Sequence, residues 1–216
     1  MLFRSIAGRA EAQYRHKKQT GGAGQFGEVH LRVAPLGRGE GFRFVDAVKG
    51  GTIPTNFMPA VEKGVREALA AGVIAGYPVV DIEVTVHDGK HHSVDSKEIA
   101  FVTAARKATI AAILEARPTV LEPIVDVEIL VPGHATGDIT GDLAARRAQV
   151  AGTDGGTGAL MCVRAQAPLA ELSGYQTRLN ALTAGQGRYT LSLSHYEVAP
   201  PAVQQRLMGE HRREED

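Results

Sequence analysis

The chain has 216 residues, enough for one large or two small domains, with 24 basic and 24 acidic side chains and no formal net charge. That balance excludes a uniformly basic nucleic-acid clamp, so any RNA contact has to come from local patches. The lone cysteine, Cys162, excludes an internal disulfide framework and fits a reducing cytoplasm, and no apolar run is long enough to span a bilayer. Tryptophan is absent and aromatics make up 5% of the residues, so Ala, Val, Ile and Leu have to supply most of the core. Cys162 sits in the apolar run Leu160-Met161-Cys162-Val163, where burial raises a thiol pKa, so it reads as core and not as a nucleophile.

The first twenty residues form a basic patch, Arg4, Arg9, Arg15, Lys17 and Lys18 against Glu11 alone, ahead of the first expected core strand. Gln19-Thr20-Gly21-Gly22-Ala23-Gly24-Gln25-Phe26-Gly27 follows, a glycine-rich loop with no carboxylate. Beside cations, such a loop can turn backbone N–H groups toward phosphate. It is not a nucleotide P-loop, because no Gly-Lys-Ser/Thr follows. Alternation predicts a strand over 28–35 with Val29, Leu31 and Val33 on one face, a turn at Gly37, Gly39 and Gly41, and a returning strand over 42–48. A helix is expected over 59–71, with Pro59 in its first turn and Gly72 at its end. The strand after it spans 79–87, with Val80, Ile82, Val84 and Val86 inward.

His87-Asp88-Gly89-Lys90-His91-His92 then brings three imidazoles together. Asp88-Gly89 signals a turn, and neighbouring histidines in an extended loop diverge, so the segment reads as an exposed RNA-facing loop and not as a metal site. Asp95 and Glu98 have the spacing of a capping box before a long helix over 99–115, which Arg117-Pro118 ends.

The second half reads as a strand over 120–131, a helix over 137–149, a short strand near Val150, and a turn at Asp154-Gly155-Gly156. A strand over 159–166, a helix from Pro168 to about Thr183, and a strand over 189–195 complete it. That order is β-α-β-β-α-β, the ferredoxin-like pattern. The fold class is α+β with two domains, a ribosomal-protein-like β-α-β domain over 1–118 and a ferredoxin-like domain over 119–200, then a short helix and charged tail over 201–216. The junction at Arg117-Pro118-Thr119 is short and proline-containing, hence semi-rigid.

The glycine loop resembles the QTGGxGQ[FY]G segment of translation elongation factor G. Further matches follow in family order: Gly50-Gly51-Thr52-Ile53-Pro54, Pro59-Ala60-Val61-Glu62-Lys63-Gly64, Gly76-Tyr77-Pro78-Val79-Val80-Asp81, His92-Ser93-Val94-Asp95-Ser96, Leu121-Glu122-Pro123-Ile124, Gly141-Asp142-Leu143, Arg146-Arg147, Pro168-Leu169-Ala170-Glu171, Gly174-Tyr175 and His195-Tyr196-Glu197-Val198. The resemblance is to the fourth and fifth domains of that factor. It implies a ribosome-contacting module acting in tRNA–mRNA translocation, with the fourth-domain tip loops reaching the decoding region and the fifth domain meeting the large-subunit factor-binding region. The residues it implicates in RNA or ribosome contact are Lys17, Lys18, Gln19, Gly21, Gly22, Gly24, Gln25, Lys90, His91 and His92 at the tip, and Arg146 and Arg147 in the fifth domain. Arg164, Arg178 and Arg188 are further fifth-domain candidates.

Departures cluster in the fifth domain: His134-Ala135-Thr136 stands where the family has Glu-Tyr-Met, Ser173 replaces a Phe, and Ala184-Gly185-Gln186 replaces a Gln-Gly-Arg stretch. They suggest a divergent elongation factor G-like paralogue. The expected chain is a monomeric, cytoplasmic fragment with no catalysis, metal or membrane contact of its own, GTP and Mg²⁺ belonging to a GTPase domain of the parent. The alternative is a stand-alone RNA- or ribosome-binding regulatory protein without a GTPase.

Overall fold

A computed structural model describes residues 2–19, 24–73, 76–156 and 159–207. The chain divides into two compact units, Leu2–Leu121 together with the segment from Val198 onward, and Glu122–Glu197. The terminal helix, residues 201–207, thus groups with the first unit, where the sequence reading set 201–216 apart.

The first unit contains β1 (Phe3–Ile6), β2 (Ala10–Lys18), β3 (Gln25–Pro35), β4 (Phe42–Asp46), α1 (Met58–Ala71), β5 (Ile82–Lys90), α2 (Glu98–Glu115) and the start of β6 (Pro118–Pro132). Four strands form a sheet in the order β2-β3-β5-β4, and β1 pairs with Pro118–Leu121 of β6. Val29, Leu31 and Val33 of β3 and Ile82, Val84 and Val86 of β5 alternate inward onto Val61, Val65 and Leu69 of α1 and Phe101, Ala104, Ala105 and Ala108 of α2. The alanine face of α2 and Gly64 of α1 allow a close helix crossing: a Cβ at Gly64 would lie 2.3 Å from the Val102 carbonyl oxygen.

Several expectations give way here. The basic run Arg15–Lys18 is not a tail ahead of the first strand. It is the end of β2, paired Arg15↔Glu28 to Lys18↔Gln25 in a hairpin with β3. The inward face of β2 is only Ala10, Ala12 and Tyr14, too weak an apolar alternation to stand out. The strand expected to return beside β3 is β4, which instead pairs parallel to β5. Asp81, buried and at φ 57°, shapes that crossing by accepting from Gly39 N–H at 3.0 Å, Gly41 N–H at 2.9 Å and Arg38 at 3.0 Å. β5 starts later and runs further than expected: Val80 is only half-buried, and Asp88-Gly89 is strand, not turn. Gly89 fits because a Cβ there would meet the Glu28 carbonyl oxygen at 2.3 Å. The capping box is not made either. The N-cap of α2 is Lys97, with no side-chain cap bond, and the Asp95 carbonyl accepts from Phe26 N–H instead.

The second unit continues β6 and adds α3 (Thr136–Ala145), β7 (Gln149–Gly155), β8 (Leu160–Pro168), α4 (Tyr175–Thr183) and β9 (Arg188–Val198), the β-α-β-β-α-β order read from the sequence. β6 pairs with β8, β8 with β7, and β9 with β6. Val127, Ile129 and Val131 of β6 and Val163 and Ala165 of β8 pack on Ile139 and Leu143 of α3 and on Tyr175 and Leu179 of α4. α3 stops at Ala145, short of the expected end at Gln149. The helix expected from Pro168 is a 3-10 turn, Leu169–Leu172, separated from α4 by Gly174 at φ 68°. Among the described residues, no helix is long and apolar enough to cross a membrane.

Candidate RNA-contacting tip

One end of the four-stranded sheet carries the Lys18 end of β2, the Gln25 end of β3, the 50–54 segment and the 91–97 loop. Gly21 and Gly22 lie outside the described residues. On the described arm, Phe26 N–H donates to the Asp95 carbonyl at 2.9 Å, and Phe26 and Ser96 form an isolated parallel bridge. The Ser96 hydroxyl joins the same two segments, accepting from His92 N–H at 2.8 Å and donating to the Phe26 carbonyl at 3.1 Å. Gly24 also runs close to this loop: a Cβ there would lie 2.4 Å from the Asp95 carboxylate. The third segment is tied in by His91 Nδ1, 3.2 Å from the Thr52 carbonyl oxygen, and by Ile53, 2% exposed, under Gly89.

The side chains offered to solvent at this end are Lys17, Lys18, Gln19, Lys90, His91 and His92, all exposed. Gln25 is half-buried, its side-chain oxygen 3.0 Å from His16 Nε2. Val94 at the loop apex is 78% exposed. Behind them Glu28 is buried on the outer sheet face among Arg15, to which it is ion-paired, His30 at 2.8 Å and Lys90 at 3.8 Å. Burial opposes its charge, but the hydrogen bonds from Arg15 and His30 and the nearby Arg15 and Lys90 charges outweigh that and hold its pKa below the usual carboxylate range. The Gly89 N–H holds the Asp88 carboxyl down in the same way. Among the described residues, no group of three or more His, Cys, Asp and Glu side chains is placed to hold a metal ion.

Arg146 and Arg147 are in the second unit, just past the end of α3 and not late within it, Arg147 with φ 61°. Arg146 donates to Asp142 at 2.8 Å and to the Glu171 carbonyl at 2.7 Å, and its guanidinium lies 5.1 Å from the Tyr175 ring centre. Arg147 pairs with both oxygens of Glu122 and reaches Glu171 at 3.4 Å; the hydrogen bonds to Glu122 lead in raising its pKa. Arg178 holds Asp142 at 2.8 Å, and Arg164 pairs with Asp154. Four of the five fifth-domain arginines therefore spend their hydrogen bonds inside the unit. Placing these arginines from the resemblance alone missed this, because most of the acceptors, Glu122 and Glu171 for Arg147 and Asp142 for Arg178, are distant in sequence. Ser96, His16 and Glu28 were missed in turn: each acts across a strand pair or between loops, which no local spacing reveals.

Two family descriptions match the chain, "Elongation factor G, domain IV" over residues 2–117 and "Elongation factor G C-terminus" over 119–207. An elongation factor G-like protein of Thermotoga maritima is 43% identical over 210 residues, which is 97% of this chain and 31% of that relative. Elongation factor G of Aquifex pyrophilus is 46% identical over 193 residues, 89% of this chain and 28% of that relative. A crystal structure of a Thermus thermophilus protein superimposes with a TM-score of 0.87 at 41% identity, over 98% of this chain and 32% of that one. The chain thus spans about a third of the relatives it matches. With both of its halves matched and these identities along nearly its whole length, the chain belongs to the elongation factor G family of translation factors, of which it carries the domain IV and C-terminal regions.

Proposed function

We propose that the chain is the ribosome-contacting module of an elongation factor G-like protein and acts in tRNA–mRNA translocation through the tip of its first unit. The observation that carries this reading is the junction of Phe26 with Asp95 and Ser96, which joins the hairpin and the His92 loop into one end bearing exposed Lys17, Lys18, Lys90, His91 and His92. Backbone amides near glycine together with cations and imidazoles suit RNA phosphates and bases. The second unit would meet the large-subunit region through surface other than Arg146 and Arg147, whose hydrogen bonds are internal. In this reading the chain binds no cofactor, and GTP with Mg²⁺ belongs to another domain of the parent factor.

Pelleting with ribosomes across a salt series tests it. Each phosphate neutralised releases about 0.7–0.9 of a counterion, so affinity should fall steeply with salt. Replacing Lys17 and Lys18 together with Ala should shallow that slope by about one to two units. Binding indifferent to salt and to both lysines would refute the tip reading.

A further inference from the structure

His91 and His92 use the same ring atom in opposite senses. His91 Nδ1 lies 3.2 Å from the Thr52 carbonyl oxygen. A carbonyl only accepts, so this nitrogen carries a proton and is the donor. His92 Nδ1 instead receives two backbone N–H groups, Val94 at 3.3 Å and Asp95 at 3.2 Å. An amide N–H only donates, so His92 Nδ1 holds the lone pair and the proton sits on Nε2. An imidazolium would aim a third N–H into the same space. The Asp95 carboxylate is 3.6 Å from Nδ1, too far for the hydrogen bond that would reverse the assignment. The ring is half exposed, at 53%, and tilted against Phe26 with centres 6.2 Å apart.

We propose that His92 divides its ring between two tasks: Nδ1 shapes the loop, and Nε2–H is presented as a neutral donor to an oxygen of the RNA backbone. The inference rests on the tip reading above for the identity of the acceptor, and on geometry alone for the tautomer. A neutral donor adds affinity without displacing a counterion, so His92 and the tip lysines leave different signatures. Lysine substitutions change the salt slope. His92 substitutions lower affinity at every salt concentration and leave the slope unchanged.

Ring nitrogen NMR on the full chain near neutral pH reads the tautomer directly. The expected result is an imine-type Nδ1 and a protonated Nε2 at His92. A protonated Nδ1, or an imidazolium, overturns the proposal whatever the RNA does. His92→Asn keeps an acceptor near the Nδ1 position and removes the outward donor. It should preserve slow amide exchange at Val94 and Asp95 while weakening ribosome pelleting roughly tenfold, as the loss of one hydrogen bond would. His92→Gln supplies an outward amide without the ring acceptor, so it should speed exchange at those two amides. If the lysine variant weakens binding and His92→Asn does not, the donor role is refuted while the tip reading stands. If neither variant matters, the tip reading itself fails.

Discussion

Arg147 donates to both carboxylate oxygens of Glu122, 25 residues upstream and only 5% exposed in its side chain, across the base of the second unit. The pair ties the second residue past α3 to that unit's end of β6. Arg147 itself sits at φ 61°, a left-handed conformation that its fork of hydrogen bonds helps to hold. Replacing Arg147 with Ala leaves a buried carboxylate without its partner. The expected loss is about 1–3 kcal/mol, moderated because the guanidinium is itself 35% exposed. Urea unfolding should show a lower midpoint, and Arg147→Lys should recover little, since an ammonium cannot make the two-pronged contact. An unchanged midpoint would return Arg147 to the list of free RNA-binding cations.

Two glycines separate a packing role from a recognition role. At Gly64 an added methyl meets the Val102 carbonyl at 2.3 Å, backbone of the facing helix, so α1 and α2 have to part. Gly64→Ala should cost about 1–3 kcal/mol of global stability. At Gly24 the methyl meets the end of the Asp95 side chain at 2.4 Å, which can swing away. Gly24→Ala should leave the unfolding midpoint nearly unchanged and still weaken ribosome pelleting, because the displaced Asp95 carboxylate crowds the tip surface. Equal stability losses in the two variants would contradict the assignment.

Much of this was legible in sequence, and the failures share a cause. The β-α-β-β-α-β order of the second unit follows from alternating runs such as Val125, Val127 and Ile129, whose period is local. The glycine loop and the His92 loop stood out as candidate recognition segments because their composition is unusual for buried structure. The partners of Arg147, Glu28 and Ser96 were not readable, since each interaction joins residues brought together only by strand register or loop convergence. Asp95 illustrates the point. Its spacing to Glu98 promised a helix cap, but its carbonyl is taken by Phe26 and the helix begins beyond it. Tertiary pairing overrode a sound local signal. Asp88-Gly89 failed in the same way, a turn dipeptide drawn into β5 by pairing with His30 and Val29.

Acid stability should report Glu28 and Asp142 in the two units. Burial opposes the charge of each, and hydrogen bonds from Arg15 and His30 to Glu28, and from Arg146 and Arg178 to Asp142, more than offset it, so both titrate below the ordinary range when folded. In the unfolded chain they titrate near ~4.3 and ~3.9. The unfolded state therefore takes up protons first as pH falls. The stabilisation is fully present above about pH 5 and is lost as pH drops through the depressed folded values. Urea midpoints should decline below about pH 5, and Glu28→Gln and Asp142→Asn should each shallow that decline. An acid limb identical in both variants and the parent would show that other carboxylates control it.

The Ser96 hydroxyl is the side-chain link between the tip loops, accepting from His92 N–H and donating to the Phe26 carbonyl. Ser96→Ala removes both bonds but spares the backbone bond from Phe26 to Asp95, so the loops should loosen without separating. Each lost bond costs about 0.5–1.5 kcal/mol, and because His92 is solvent-exposed the cost should stay local. Amide exchange is the suitable measure, since local opening is invisible to a global melt. The His92 amide should exchange roughly tenfold faster in Ser96→Ala, with Phe26 following to a smaller extent. Core amides at Leu31 and Val84 should keep their protection. Ser96→Thr retains the hydroxyl and should restore slow exchange. If His92 and Phe26 exchange equally in Ser96→Ala and the parent, the hydroxyl is not the link and the loops are held by backbone pairing alone.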